Sequence, residues 1–414
     1  PVAGSGWPRA VDDTVGDVDG ALADATKTLD ASYTSAYLAH VPLETRAAVA
    51  EWDGPRLTVW TGNNVPFMVR GRLAEALGVD QADVRVIVPP VGGGFGGKHG
   101  DEAIEAARLA RLVGRPVRVH WNRAEEFQWG YLRPMAVIDV RAGIDARGSI
   151  TAWDFADINA GPSGIVFPYD TPNRRLRYQP ADSPLAQGPY RALAATANAF
   201  ARESHIDELA AMAGIDPLEY RLRELADDRL ADVLRAAAER FGWRPDQPGT
   251  GLAVGLEKGG RVATCVEISR ADDRANDGTD GETVRVLRMV TAYECGAVVN
   301  PDTVINQIEG GTIMALGGAL FERVALDHGH IAEPKLARYR VPRFSDIPDI
   351  EVVLVDRPDI PSAGAGETPL IAVAPAIANA ICSATGQRLR SLPLAPGLVG
   401  GPVGQGPARP VGQV

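Results

Sequence analysis

The sequence predicts a mixed α+β (α/β) fold with ligand-binding loops between its elements. Two observations predict it. Short β-rich runs alternate with helical stretches along the whole chain, and the 45 glycines are clustered rather than spread. A third sets the scale: 414 residues, 45% hydrophobic and 23% charged, are enough for two or three domains around a large core.

The runs 57–60, 84–88, 117–121, 136–140, 284–290 and 350–355 are apolar or alternating and read as strands. Asp101 is placed to cap a helix over 102–113 that stops at Gly114 and Pro116. Ile206, Leu209, Ala210 and Ala213 recur at helical spacing, so 199–213 reads as an amphipathic helix ending at Gly214. A longer helix with small residues on one side spans 302–320. Leu370, Val373, Ala374, Ile377, Ala378 and Ile381 form a last helical stripe that ends at Gly386. The polar segment 270–282 reads as a long hairpin tip, and the Pro- and Gly-rich stretch 391–414 as a flexible tail. A boundary near 215–250 gives two domains, 1–225 and 226–395, followed by a tail at 396–414.

The net charge of −11 disfavours nucleic acid as the main ligand, because phosphate binding needs a basic face. Cys265, Cys295 and Cys382 are far apart in sequence and form no zinc or iron–sulfur framework. No run of 18 or more apolar residues suggests a membrane span, and no leader is evident, so the cytoplasm is the expected compartment, with the periplasm as the alternative. The chain begins at Pro1 rather than Met, as expected for a piece of a longer polypeptide.

Four loops carry the chemistry. Val91-Gly92-Gly93-Gly94-Phe95-Gly96-Gly97-Lys98 joins a strand to a helix, an arrangement that aims free N–H groups at an anion or oxo group. A purely structural turn would use the same glycines. The dinucleotide fingerprint fits only if Gly92, Gly94 and Gly97 are selected from the run, and no acidic residue ends a second strand about 20 residues on, as ribose recognition needs. A phosphate loop needs Ser or Thr after its lysine, whereas His99 follows Lys98. The second loop, Gly188-Pro189-Tyr190-Arg191-Ala192, can present a guanidinium to an anion, or form a surface ion pair. The third, from Cys295 through Asn300-Pro301 to Gln307, Gly310 and Gly311, permits close packing or close ligand approach. In the fourth, Gly364-Ala365-Gly366-Glu367-Thr368-Pro369, a glutamate follows a glycine pair before an apolar helix. It can act as a base or merely cap the helix.

Taken in this order, GGGFGGK, YRA with NAFARESHIDELA, CGAVVNPDTVINQIEGG and GAGE with APAIANAI resemble the molybdenum-cofactor-binding large subunit of the xanthine dehydrogenase/aldehyde oxidase family. The resemblance spans roughly 15–395 and lacks the family's N-terminal hammerhead domain, which a separate chain would then supply. It implies two molybdopterin-binding domains and a molybdenum–molybdopterin cofactor, expected in its cytosine dinucleotide form. The implied reaction inserts a water-derived oxygen into an electron-poor C–H bond of an N-heteroaromatic or an aldehyde. Electrons would pass to [2Fe–2S] clusters on a partner subunit, and from there to an FAD or haem (cytochrome) subunit. Molybdenum would be held by the pterin dithiolene and not directly by protein.

Residue by residue, Glu367 matches the family's catalytic base. Phe95 and Gly96, with Gly94 and Gly97, match the loop beside the metal. Arg191 and Ala192 match the second metal-side loop. Gln307, Gly310, Gly311 and Gly366 match cofactor contacts, and Arg175 falls where purine hydroxylases orient substrate. Three departures narrow the reading. His99 replaces a substrate-binding glutamate of the purine hydroxylases, which argues against xanthine. Asn64 is one methylene shorter than the glutamine usual at its position. Ala192 replaces the cysteine of the copper-containing CO dehydrogenases. A non-catalytic cofactor-binding or assembly protein of the same fold is the alternative.

Overall fold

Alternating apolar residues assemble into three main sheets. In the computed structural model, which describes residues 10–269, 284–328, 330–332 and 334–394, the first sheet has six strands. They are β1 (Val11–Val15), β2 (Lys27–Ser35), β7 (Ala136–Ile144), β8 (Ile150–Ile158), β9 (Arg174–Gln179) and β16 (Ser391–Leu392), ordered β1-β9-β8-β7-β2-β16. β8–β9 and β2–β16 pair parallel and the other neighbours antiparallel. The period-two rule is plain in β7: Ala136, Ile138, Val140 and Ala142 are buried, and Val137, Asp139 and Arg141 between them face outward. The short helix α1 (Val18–Ala23) packs on β8.

A four-stranded sheet ordered β5-β4-β3-β6 follows in the first half of the chain. It comprises β3 (Ala47–Asp53), β4 (Arg56–Thr61), β5 (Val84–Ile87) and β6 (Val117–His120). The helices α2 (Pro66–Leu77) and α3 (Asp101–Val113) close its core, and α4 (Arg123–Trp129) leads back to the first sheet. The second half builds β10 (Thr250–Glu257), β11 (Gly260–Ile268), β12 (Val286–Glu294) and β15 (Asp349–Leu354) in that spatial order, with β15 parallel to β12. Long stretches of β10 to β12 are buried at consecutive positions, because α7 (Asp228–Phe241) packs on β11 and β12 while α9 (Val373–Thr385) packs on β10 and β11. The remaining elements are α6 (Pro217–Glu224), α8 (Pro301–Leu320) and a ribbon of β13 (Leu326–Asp327) with β14 (His330–Ile331).

One helix departs from the amphipathic expectation. α5 (Ala195–Ala213) is buried at every residue from Ala195 to Ile206, because β2 and β7 lie against it on the first-sheet side and α9 and β10 on the other. Its polar residues are therefore interior and must find partners. Asn198 donates to the carbonyls of Gly161 and Ser163 (both 2.9 Å). Glu203, fully buried, accepts from Arg202, Arg221 and Tyr169 at 2.8–3.0 Å. This network joins α5, α6 and the loop before β9.

Three further expectations change. Asp101 does not cap α3: the N-cap is Gly100 in the left-handed region (φ +79°), while Asp101 sits in the first turn and pairs with Arg72 at 2.5 Å. Residues 391–394, read as the start of a tail, instead form β16 on β2, with Leu392 and Leu394 buried. Thr368–Thr385 is long and apolar enough by composition to cross a bilayer, but 78% of it is buried inside this fold. The proposed hairpin tip at 270–282 and tail at 396–414 lie outside the described residues.

Removing one partner of a buried ion network leaves uncompensated charge. Among the described residues, Glu203→Ala leaves the buried Arg202 without a carboxylate and Arg221 with Asp207 alone (3.4 Å), so it is expected to cost about 3–5 kcal/mol. A urea-unfolding midpoint equal to wild type would contradict this account of the network.

Candidate active site

The glycine loop runs from β5 into α3, and its middle is left-handed: Phe95 has φ +53° and Gly96 φ +93°. The strain at Phe95 persists because the loop is gripped from behind. Tyr131 Oη donates to the Gly96 carbonyl (2.5 Å), Arg46 donates to the Gly97 carbonyl, and the Arg191 backbone N–H donates to the Phe95 carbonyl (2.9 Å). A side chain at Gly96 would collide with the Pro189 carbonyl (2.7 Å), and one at Gly97 with the His40 ring (2.7 Å). Lys98 is buried and tied back to Glu44 (2.5 Å), whose carboxylate also accepts from the Gly92 N–H (2.6 Å). The Lys98 bond above all, partly offset by burial and helped by the Gly92 bond, holds Glu44 below the usual carboxylate range. Lys98 therefore fixes the loop rather than reaching for a ligand.

The second loop mirrors the first. Ala192 (φ +70°) and Leu193 (φ +51°) are consecutive left-handed residues just before α5. His40 Nε2 lies 2.6 Å from the Pro189 carbonyl. Burial lowers the His40 pKa to about 4, against the pull of that bond, so the ring is neutral at pH 7 and Nε2–H is the donor. Arg191 lies at the centre. Its Nε donates to the Gly366 carbonyl (2.7 Å), and Nη2 donates to the Gln307 carbonyl (3.1 Å) and side-chain oxygen (3.0 Å). With its backbone bond to Phe95, this one residue joins all four loops. Burial lowers its pKa, with Tyr190 and Glu367 pulling the other way, and the group remains cationic.

Glu367 stands at the N-cap position of a 3₁₀ turn (Thr368–Leu370) before α9, but its side chain makes no capping bond. The helix-cap alternative is thereby removed. The carboxylate instead pairs with Lys258, and both side chains remain partly open to solvent. Lys258 was not legible as a site residue. It occupies the two-residue turn between β10 and β11, with Lys258 at φ +48° and Gly259 at φ +82°. The only sequence signal is Lys-Gly between two apolar runs, a hairpin cue and not a chemical one.

The other expected residues divide clearly. Gly310, Gly311 and Gln307 lie on α8, where a Cβ at Gly310 would meet nothing within 4 Å and one at Gly311 would face the Arg191 guanidinium at 3.5 Å. Thr312 Oγ1 beside them is buried without a partner. Gly94 and Gly97 lie in the glycine loop, and Gly366 abuts Arg191. His99 is half-buried with its ring 5.7 Å from that of Tyr131, and burial lowers its pKa. Asn64 is exposed, whereas its neighbour Asn63 makes the turn by bonding Thr61 and Val65. Arg175, on β9, is held by Asp154 (2.7 Å) and Asp19 (3.0 Å).

The polar groups that converge are backbone amides and carbonyls, one guanidinium, one orphaned hydroxyl and one carboxylate. Among the described residues no three His, Cys, Asp or Glu side chains gather into a metal site. That donor set, with glycines at the points of closest approach, fits a large anionic group with oxo and amide functions.

Comparison with known proteins points the same way. Residues 7–225 match one family model described as a molybdopterin cofactor-binding domain, and residues 277–348 match a second of the same description. The chain is 33% identical to a nicotinate dehydrogenase subunit of Pseudomonas putida, with 95% of this chain aligned but only 37% of that protein. It is 28% identical to the aldehyde oxidoreductase molybdenum-binding subunit PaoC of Escherichia coli (92% and 77% covered). It is 30% identical to an isoquinoline 1-oxidoreductase subunit of Brevundimonas diminuta (86% and 48%). Thus the chain spans well under two thirds of some of these relatives. In fold it resembles quinoline 2-oxidoreductase from Pseudomonas putida 86 (TM-score 0.82, 18% identity, 94% of this chain and 78% of that one). Aldehyde oxidoreductase from Desulfovibrio gigas is also similar (TM-score 0.79, 18%, 95% and 63%).

Two outcomes are expected. Arg191→Lys cannot serve Gly366 and Gln307 at once, so purified protein should carry severalfold less molybdenum per chain; wild-type loading measured by metal analysis would refute the clasp. The His40 pKa falls from 6.5 to about 4 on folding, so its contribution is complete above pH 6.5 and lost as pH falls toward 4, where the unfolded chain binds the extra proton. The loss amounts to about 3 kcal/mol. In His40→Gln the stability–pH curve should be flatter by that amount over this window, as read from urea unfolding at stepped pH.

Proposed function

Since the chain belongs to the molybdopterin cofactor-binding family, we propose that it is the catalytic, molybdenum-binding part of a hydroxylase for N-heteroaromatic compounds or aldehydes. The observation that carries this reading is the Arg191 clasp. It brings the glycine loop, Gln307 and Gly366 together and leaves Glu367, a partly exposed carboxylate outside the clasp's own bonds, next in sequence to Gly366.

Bound there, a molybdenum–molybdopterin would supply the two-electron redox chemistry that introduces a water-derived oxygen into an electron-poor C–H bond. The chain's own residues bind and orient. The open faces at Gly310 and Gly366, where a Cβ would meet nothing within 4 Å, admit a bulky group at backbone distance, with the unpartnered Thr312 Oγ1 nearby in sequence to bond it. Arg191 offsets negative charge without titrating. Ala192 keeps the second loop small. Glu367 accepts the proton released as oxygen is delivered, a role for which a carboxylate open to solvent on one side can also discharge its proton. The cytosine dinucleotide form of the cofactor and a partner subunit carrying [2Fe–2S] clusters belong to the same proposal, as does an FAD or haem subunit that receives electrons from those clusters. The relatives are themselves named as subunits, which agrees with a multi-chain assembly.

Metal analysis and acid release of nucleotide from the purified assembly test the cofactor. Molybdenum and a cytidine nucleotide are expected in near-equal amounts, and neither being present with partner chains bound would refute the reading. Glu367→Gln should retain wild-type molybdenum but lose several orders of magnitude in turnover. Full turnover in a loaded variant would refute the base assignment.

A further inference from the structure

We infer that Lys258 is the recognition group for a carboxylate on the substrate, which narrows the substrate to an anionic N-heteroaromatic such as a pyridine carboxylate. This rests on the reading that Glu367 is the base. The juxtaposition that carries it is a lysine on a rigid hairpin tip in direct contact with that base.

Three features argue against an incidental surface pair. First, the tip is rigid. Both turn residues are left-handed, and the flanking Glu257 and Gly260 pair across the ladder. An ordinary residue at φ +48° is uncommon, and here the main chain holds it there. Second, the tip is fastened to the loop that bears the base. Thr368 Oγ1 donates to the Glu257 carbonyl (2.8 Å), Tyr293 Oη donates to the Gly364 carbonyl (2.6 Å), and a Cβ at Gly259 would lie 3.1 Å from Ala363. The turn that carries Lys258 therefore holds one position relative to the backbone that carries Glu367. Third, the Lys258 side chain is 48% exposed and the Glu367 side chain 33%, so an incoming molecule can reach the pair.

While the pair is closed, the ammonium occupies the carboxylate that must accept the proton. Turnover therefore favours a substrate that draws Lys258 away. A neutral ring offers the lysine nothing in exchange. A ring bearing a carboxylate offers an equivalent anion, so Lys258 can change partners and stay paired while Glu367 is released to accept a proton. The same lysine offsets the repulsion an anionic ring would otherwise meet from Glu367 and from Glu257, whose own carboxyl is half-buried toward Gly164 and Ser163. No other Lys or Arg side chain forms an ion pair with Glu367 among the described residues.

The test uses the assembled, molybdenum-loaded enzyme and two matched probes, pyridine-3-carboxylate and pyridine-3-carboxamide. Wild type should prefer the carboxylate in kcat/KM by at least about tenfold, or about 1.4 kcal/mol. In Lys258→Met that ratio should fall toward one, chiefly through KM for the carboxylate, and Lys258→Arg should restore most of it. Equilibrium binding of pyridine-3-carboxylate by calorimetry should weaken in the Met variant to the same degree. Equal loss on both probes would reduce Lys258 to a support for Glu367 and overturn the inference, as would a wild-type preference for the carboxamide. If neither probe is turned over, the binding measurement decides: Lys258-dependent binding upholds the inference, and its absence overturns it. Failure of the broader reading looks different, namely no molybdenum, or a loaded Glu367→Gln enzyme as active as wild type.

Discussion

The structure of the site depends on one guanidinium. Among the described residues, no carboxylate pairs with Arg191. Its donors go to the Gly366 carbonyl and to two oxygens of Gln307, while its backbone N–H reaches Phe95. Sequence regions separated by up to 175 residues thus meet within hydrogen-bond distance. A lysine has the charge but not the planar fork that allows simultaneous bonds in two directions. With no acidic partner bonded to it among those residues, the positive charge remains available at the point where the four loops converge.

Around this clasp the backbone is held in conformations it would not choose. Phe95 and Ala192-Leu193 are left-handed without being glycine, a cost of about 1–3 kcal/mol each. The compensation comes from neighbours that do no chemistry: Tyr131, Arg46 and the neutral His40 hold carbonyls of the two loops, and Lys98 with Glu44 anchors the start of the first. Deeper still, α5 leaves the second loop and passes straight into a buried ionic network around Glu203. The loop's exit is therefore anchored in the most constrained part of the core, so the strain is borne locally rather than relaxed by movement of the helix.

The carboxylate proposed as the base lies outside the clasp's own bonds. Glu367 follows a carbonyl held by Arg191 and precedes a helix buried against the sheet of β10 to β12, so its backbone is fixed while its side chain is not. The β10–β11 turn places Lys258 against it. Two elements from the same half of the chain thereby set both the position and the charge environment of the carboxylate.

What the sequence determined by itself was the set of loops and the character of their residues. Glycine where the backbone must approach a ligand, an arginine before a run of small residues and a glutamate after a Gly-Ala-Gly step are local signals, and their order along the chain supported the family reading. Strands and helices with clear periods were equally legible. Only the tertiary structure decided which faces are interior and which charges meet. The burial of α5 on all sides depends on two sheets distant in sequence, so its Arg202 and Glu203 could not be told from surface residues. That Arg175 meets Asp154 and Asp19 was likewise set by strand pairing and not by sequence spacing. Lys258 carried no signal, since a lysine in a hairpin turn is ordinary and its partner lies 109 residues on. Ion pairs form through space at a few ångströms, and a sequence fixes such distances only through packing of the whole chain.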